Sequence, residues 1–585
     1  MTSPPPASRE SGRVGASRGE GLLSRSFVAL LVFASVAVVL SLNLGIVWLS
    51  SSLIALGAAL LTILLLRRWP LGLAVPRKVW LLALLMGLLV SYPVWLLRPA
   101  VTYSVDPAQT IVLRVLDNRI PQDFEPYSGL SFTYQFSYHL FVKLFRDLVP
   151  VLPDYLLLWA FGVLFAALEV AAVYLFSREV SGSERAATFS VVALFGTKAV
   201  FRNVLLGGFH TLLAVNLLLL AFVCFRRRHP LRYLFFPVAI AVHPHIGGLG
   251  LVLFGVSLAF WRAQARDFLR MLPSLALVIP ILLTTYLAGA LAFLTTEGAL
   301  AFAAPSLLFF ALIPLFIGIA PSALVGLGSL HLLVKRKPSH EQRFAFSLLL
   351  ASVALYIGLG LLGFEFLGKL FELGIIAAVL FIGMSMDVML GGQGGTGRIR
   401  GAVGVLGKPA ALQIAILAVG ILLILQSGEL NKPRFEGKIS PEETAFAFGF
   451  REFDPGLRTA FFFTRSSAGV KIAEYANKIP YDGNVGWFLP YDDKQVFHDE
   501  GFRELQRRHS LAQDILARQC VPCVQELGVD YLVVDRGMYN LPLPQEPAFR
   551  LGRVEVAEER AFPRRGMSRR GRTERASRRE KAEIR

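Results

Sequence analysis

Long apolar runs recur along the chain to about residue 427, each interrupted by a short polar or basic stretch. Most are long enough to cross the hydrocarbon core of a bilayer as a helix, which takes about 20 residues. The runs predict spans over 26–47, 48–66, 78–97, 152–176, 186–201, 208–225, 231–243, 246–261, 268–293, 303–331, 344–363, 368–390 and 409–427. The expected fold is a polytopic all-α membrane domain of about 13 transmembrane helices over 26–427. The pair around His243-Pro244-His245 is short and interrupted by Pro and Gly. The total shifts by one or two with how that pair is divided.

Beyond residue 428 the pattern changes to that of a small α/β domain, expected over 428–549. TRSSAGVKIAEYANKI predicts an amphipathic helix, with Ser466 or Ser467 as its cap and Val470, Ile472, Ala473 and Ala476 on its apolar face. NVGWFLP predicts a short strand. SLAQDILARQCVPCVQELG predicts a second helix ended by Gly528, and VDYLVVD a buried strand. Alternating helices and strands imply a small parallel sheet. No Gly-rich phosphate loop precedes either helix, so no nucleotide is assigned. Residues 550–585 carry 13 Lys and Arg against 6 Glu and few apolar anchors, which predicts a basic disordered tail.

Composition agrees with a membrane protein: 54% of residues are hydrophobic, 17% are charged, and the mean hydropathy is +0.56. The net charge of +18 is unevenly placed. Arg9, Arg13, Arg18 and Arg25 precede the first span, and alternate loops carry Arg67-Arg68 with Arg77-Lys78, Arg178, Arg226-Arg227-Arg228, Arg262 with Arg266, Lys335-Arg336-Lys337, and Arg398 with Arg400. Threaded through thirteen spans, all fall on one side, which the positive-inside tendency makes cytoplasmic. Residues 1–25 are then a disordered cytosolic tail, too polar for a signal peptide. The loop 98–151 and the domain after 428 are extracytoplasmic, in a multi-pass protein of the plasma membrane. The basic surface is accounted for by topology, and no nucleic-acid partner is assigned.

The chemistry gathers in the loop 98–151, a polar and aromatic island between spans. Charged groups held against a bilayer are costly unless they work in a water-filled cavity. Asp106 follows the span ending at Leu97, and its carboxylate suits a general base at an interface. Ser104-Val105-Asp106-Pro107 ahead of AQTIVLRVL also reads as a helix cap, and one carboxylate can do both. Asp117 and Asp123 read as turn and cap residues. His139 lies one helical turn from Gln135 and Lys143, in a polar stripe. Outside the loop, Arg202 and Lys198 sit at the end of one span and His210 at the start of the next, with Gly207-Gly208 between them. Such cations suit a phosphate group. His243 and His245 flank a helix break, where freed backbone groups and imidazoles line cavities. Cys224 reads as a small core hydrophobe. Cys520 and Cys523 form a CVPC pair for which a disulfide and a redox centre are alternatives.

Asp106 past an early span, the Asp117-Asn118-Arg119-Ile120-Pro121 turn, Tyr127-Ser128-Gly129, and Tyr134 through His139 entering a helix together resemble the first exported loop of GT-C superfamily glycosyltransferases. The number of spans, the His-Pro pair in a broken hairpin and the ELGVDYLVVD end of the C-terminal domain extend the resemblance over most of 26–540. It implies transfer of a sugar from a polyprenyl-phosphate donor to a lipid, glycan or protein acceptor. On that pattern Asp106 and His139 are the catalytic residues, and Arg202, Lys369 and His210 bind the donor phosphate. His243, His245 and Tyr134 line the cavity. Many members carry an acidic pair in this loop, whereas Asp106 is followed by Pro107-Ala108. That departure bears on dependence on a divalent metal, and no metal ligand or other cofactor is assigned. A secondary transporter or lipid flippase is the alternative reading, since it too breaks helices around buried polar groups.

Overall fold

A computed structural model describes residues 21–44, 49–68, 73–97, 137–150, 154–197, 208–281, 319–334, 338–361, 371–391, 440–464, 468–481, 500–541 and 547–558, with positions 113, 116, 152, 200, 203, 204 and 283. The chain divides into two compact units, one holding most of residues 1–435 and the other most of 436–585.

The first unit is helical. Its elements are α1 (Leu22–Leu44), α2 (Leu49–Arg68), α3 (Arg77–Leu97), α4 (Ser137–Leu148), α5 (Asp154–Ser181), α6 (Glu184–Phe195), α7 (Phe209–Arg226), α8 (Arg232–Val242), α9 (Pro244–Phe260), α10 (Ala265–Met271), α11 (Ile319–Val334), α12 (His340–Leu361) and α13 (Phe371–Gly391). Among the described residues, Leu22–Asn43, Ser50–Arg67, Leu156–Ser181 and Phe209–Arg226 are long and apolar enough to cross a membrane. Leu53, Ile54, Leu60, Leu61 and Leu64 of α2 and Leu81, Leu84 and Leu88 of α3 face outward from the unit. A patch of this kind suits acyl chains, as expected of an integral membrane protein.

Two predicted spans take other forms. Among the described residues, the run 186–201 yields the twelve-residue α6, which Gly196 ends, and the run 268–293 begins as α10 followed by a 3-10 segment, Leu272–Val278, with Pro273 near its start. The run 409–427 lies outside the described residues. The break at His243 has the expected cause: the residue before a proline is driven out of the helical region, and His243 has φ −153° and ψ 101°. Pro244 then opens α9. Gly247 lets α9 fold back on α8, because a Cβ there would collide with the backbone and side chain of Ile240.

One end of this unit is stitched by ion pairs. Arg227 at the end of α7 meets Glu179 near the end of α5 at 2.7 Å. Arg185 and Ser183, at the start of α6, hold Asp387 near the end of α13 at 3.0 and 2.6 Å. Arg228 meets Asp267 of α10 at 3.0 Å, the Arg226 guanidinium lies 3.9 Å from the Trp261 ring centre, and Arg178 donates to the Ala74 carbonyl at 2.6 Å. Arg178 and Arg226–Arg228, which the sequence places on one side, are thus gathered at one end.

The second unit holds a five-stranded sheet in the order β2-β1-β3-β5-β4, with β1 (Arg458–Phe463), β2 (Lys478–Pro480), β3 (Tyr531–Asp535), β4 (Phe549–Leu551) and β5 (Val554–Glu558). β2, β1 and β3 are parallel, whereas β5 and β4 pair antiparallel, so the sheet is mixed where a parallel one was expected. Alternate residues face opposite sides. Phe461, Phe463, Leu532 and Val534 pack with α16 (Glu500–Arg518) and α17 (Val521–Leu527). Tyr531 faces Phe450 of α14 (Pro441–Phe453), and Phe462 faces the Gly469 turn of α15 (Ala468–Ala476). The predicted NVGWFLP strand lies outside the described residues, as do Ser466 and Ser467.

Several boundaries move. Asn477, at φ 59°, ends α15, and Lys478–Pro480 becomes strand instead of helix. The helix predicted across 510–528 is two: Gln519, at φ 51°, breaks it, and Cys520 caps α17. The CVPC pair is a disulfide at the junction. β4 and β5 run past 549, into the segment expected to be tail. Lys478 is fully buried, donating to the carbonyls of Asp454 and Gly456 at 2.6 and 2.7 Å and pairing with the Asp454 carboxylate at 3.2 Å. Burial opposes the charge on Asp454, but the Gly456 N–H, the Tyr531 hydroxyl and Lys478 outweigh it and hold this carboxyl below the usual carboxylate range.

Candidate functional site

The polar groups of the helical unit meet at the end away from the ion pairs. α7 shows the separation: it begins at Phe209, ends at Arg226, and so rises about 27 Å between the two ends.

The loop helix α4 is seated there. The Ser137 hydroxyl donates to the Ala241 carbonyl at 2.8 Å, just before the break at His243. The Tyr138 hydroxyl donates to the Leu158 carbonyl at 2.9 Å, and its ring meets Phe165 of α5 and Phe209 of α7 at centroid distances of 6.3 and 5.9 Å. Every residue of Ser137–Leu144 is buried, including His139 and Lys143. The expected polar stripe is therefore packed inside the protein rather than lining open water, and Lys143 pairs with Asp147 at 3.2 Å. Arg146 closes the far end of α4 on Asp154 at 3.1 Å.

Beside α4, the start of α7 meets the end of α8. The rings of His210 and His243 lie 5.0 Å apart, tilted by 35°. His245 is in the first turn of α9. The reversal into α7 is made by Asn203 and Gly208: the Gly208 N–H donates to the Asn203 carbonyl at 2.7 Å, and a Cβ on Gly208 would lie 2.6 Å from Asn203 Oδ1. Only glycine fits that approach. The Asn203 amide then reaches α13, donating through Nδ2 to Glu372 Oε1 at 2.8 Å. Glu169, in the interior of α5, is a second buried carboxyl of this unit. These three side chains are 5% (Asn203), 7% (Glu372) and 2% (Glu169) exposed.

Of the residues singled out in the sequence, His139, His210 and His243 are brought to this end, while Asp106, Tyr134, Arg202 and Lys369 lie outside the described residues. Asn203, Glu169 and Glu372 were missed. Glu169 had a signal, as the one acid inside the run 152–176 apart from Asp154 at its very start, where an ionisable group marks a functional site by default. Glu372 hides at the edge of an apolar run and Asn203 beside Arg202. Neither declares its partner, since the residues are separated by 169 positions. Among the described residues no group of three or more His, Cys, Asp or Glu is placed to hold a metal ion. Such chemistry as this end offers is hydrogen bonding, charge and proton transfer by imidazole and carboxyl groups.

No family model and no curated protein matches the chain. Fourteen chains of solved structures are similar, three of which are as follows. One is an oligosaccharyltransferase of Archaeoglobus fulgidus in complex with Zn and sulfate, at 15% identity and TM-score 0.42, covering 78% of this chain and 68% of that one. A second is the archaeal oligosaccharyltransferase AglB of the same organism, with an inhibitory peptide and a dolichol-phosphate, at 14% identity and TM-score 0.41, covering 78% and 69%. The third is ArnT of Cupriavidus metallidurans bound to undecaprenyl phosphate, at 12% identity and TM-score 0.47, covering 83% of this chain and 99% of that one. Likeness at this level carries no argument about residues or activity. The resemblance read in the sequence, to GT-C glycosyltransferases, is joined by a likeness to solved structures of an oligosaccharyltransferase and of ArnT.

Proposed function

We propose that the protein is a membrane glycosyltransferase that moves a sugar from a polyprenyl-phosphate donor to an acceptor hydroxyl of a lipid, glycan or protein on the extracytoplasmic side. The N-terminus is cytoplasmic, and the loop bearing Asp106 and the C-terminal unit are extracytoplasmic. The observation that carries the reading is the Asn203–Glu372 hydrogen bond of 2.8 Å. It ties the chain beside Arg202 to the chain three residues after Lys369. His210, on the same reversal, meets His243.

In the reaction, the acceptor atom attacks the anomeric carbon. The bond from that carbon to the phosphate oxygen breaks, and its electron pair leaves with the phosphate. Asp106 takes the acceptor proton as the new bond forms. Arg202, Lys369 and His210 balance charge on the departing phosphate. His139, His243, His245 and Tyr134 shape the surroundings of the transfer.

The test is sugar transfer by the purified protein in nanodiscs, offered undecaprenyl-phosphate and dolichyl-phosphate sugars in turn. Transfer that depends on Asp106 supports the assignment. A protein that transfers nothing but moves a solute or lipid across the bilayer would be a transporter or flippase.

A further inference from the structure

The Cys520–Cys523 disulfide joins two helices that are already held without it. Ala512 and Ile515 of α16 and Val524 and Leu527 of α17 pack with Phe461, Phe463, Leu532 and Val534 in one apolar core. Arg507 of α16 also donates to the Glu526 carbonyl of α17 at 3.4 Å. The bond closes a loop with only Val521 and Pro522 between its ends. A cross-link over so short a loop restricts the unfolded chain less than one over a long loop, so the fold gains little from it. The two sulfurs also have unequal surroundings. Cys523 is buried in the core at 8% exposure, whereas Cys520 is half-buried, with Ala517, Arg518 and Gln519 before it and Pro522 after it exposed. Gln519, in the left-handed region at φ 51°, stops α16 and sets Cys520 at a corner of the chain. There the Cys523 N–H donates to Cys520 Sγ at 3.3 Å.

We propose that Cys520–Cys523 is a thiol–disulfide exchange site, entered at Cys520 and exchanging electrons with a dithiol or with two monothiols. In the reducing direction a partner thiolate attacks Cys520 Sγ. The bond between the two cysteine sulfurs breaks, and its electron pair leaves on Cys523 Sγ, which takes a proton from solvent. A second partner thiolate then attacks the partner's sulfur in the mixed disulfide, and that electron pair leaves on Cys520 Sγ. The Cys523 N–H is placed to donate to the departing Cys520 thiolate. The pair gains two electrons and two protons, and the partner thiols become a disulfide. Because the apolar core holds both helices, the unit keeps its fold in either state and the exchange is reversible. The site lies in the second unit and does not depend on the sugar-transfer reading.

The experiment uses the full chain in nanodiscs with Cys224→Ala, which removes the third cysteine of the sequence so that every thiol counted belongs to the pair. Equilibrated in buffers of reduced and oxidised glutathione, alkylated and weighed, the folded protein should show two thiols that appear and disappear reversibly. Resistance of the C-terminal unit to proteolysis should stay within about twofold across the series. Cys523→Ser should take up glutathione from its oxidised form at Cys520. Cys520→Ser should do so at Cys523 about tenfold more slowly, since a buried thiol is hard to reach. A bond that opens only when the chain is unfolded overturns the proposal. So does loss of the protease-resistant unit on reduction, which would make the bond a structural clamp. Equal uptake at the two cysteines overturns Cys520 as the point of entry. Should a serine variant fail to fold, brief exposure of the Cys224→Ala chain to reduced glutathione, quenched with acid, makes the same comparison: the mixed disulfide should be found on Cys520 and not on Cys523.

Discussion

The two ends of the helical unit handle polarity in opposite ways. At one end Arg227–Glu179, Arg228–Asp267 and Arg185–Asp387 are paired at 2.7–3.0 Å with partly exposed side chains, 66% for Arg228. At the other, Asn203, Glu169, Glu372, His139 and His243 are buried, and what holds them is shape and hydrogen bonding. Partly exposed ion pairs are screened and contribute little each, so they suit a boundary with water and headgroups. Buried carboxyl and imidazole groups are expensive, and those of Glu169, Glu372, His139 and His243 need partners close at hand. On the proposed function, the first end orients the protein and the second does the chemistry.

Sidedness is the coarsest way to break the comparison. Cysteine introduced at Ser128 or Asp482 should label from outside intact cells, and cysteine at Thr396 should not; the opposite pattern would put the ion-paired end outside. Next in size is Asp106→Asn. It keeps a capping side chain but removes the base, and should lower the transfer rate about 10²–10⁴-fold with normal membrane insertion. Asp117→Asn is the matched control and should lose little. Arg202→Gln or Lys369→Gln should weaken donor binding by about 1.5–3 kcal/mol in equilibrium titrations, with acceptor affinity almost unchanged, since each removes a charge-assisted contact.

Effects at the ion-paired end should be smaller. Arg227→Ala should cost about 1 kcal/mol or less in thermal unfolding and leave transfer unaltered. A comparable loss of transfer would erase the distinction between the ends. The smallest effect is a pH slope. Burial, then Arg232, lowers the His229 imidazole to about 4. An unfolded imidazole, with an ordinary value of about 6.5, binds its proton first as pH falls. The unfolded chain therefore holds more protons between those values, and stability should decline from about pH 6.5 to about pH 4. Thermal unfolding across that range should show a slope that His229→Gln removes.

Some of this was legible because it is local. The break at His243-Pro244 follows from the steric rule on pre-proline residues, and the helices that cross follow from runs of apolar residues. The grouping of Arg178, Arg226–Arg228 and Arg266 was legible too, as alternate loops carry them. The second unit was harder. α15, the stretch 510–528 and β3 stand out by period, but α14 went unread despite its Ser440 capping box, β1 is RTAFFF ahead of a turn, β2 is three residues, and β4 and β5 sit in basic, polar text. Short strands acquire their identity from the neighbours they pair with. The helix break at Gln519 was hidden because a left-handed residue there is imposed by the disulfide junction and by packing of α17 on the sheet.

Periodicity and composition, which act over a few residues, determined that this is a membrane protein with a separate C-terminal unit, where its helices break and which ends carry cations. Proximity across the chain was left to the tertiary structure. It alone decided that His210 meets His243, that α4 is buried rather than open to water, and that Asn203 reaches Glu372. The physical reason is that a buried polar group is stable only beside its partner, and the partner is chosen by how helices pack, which no short stretch of sequence encodes.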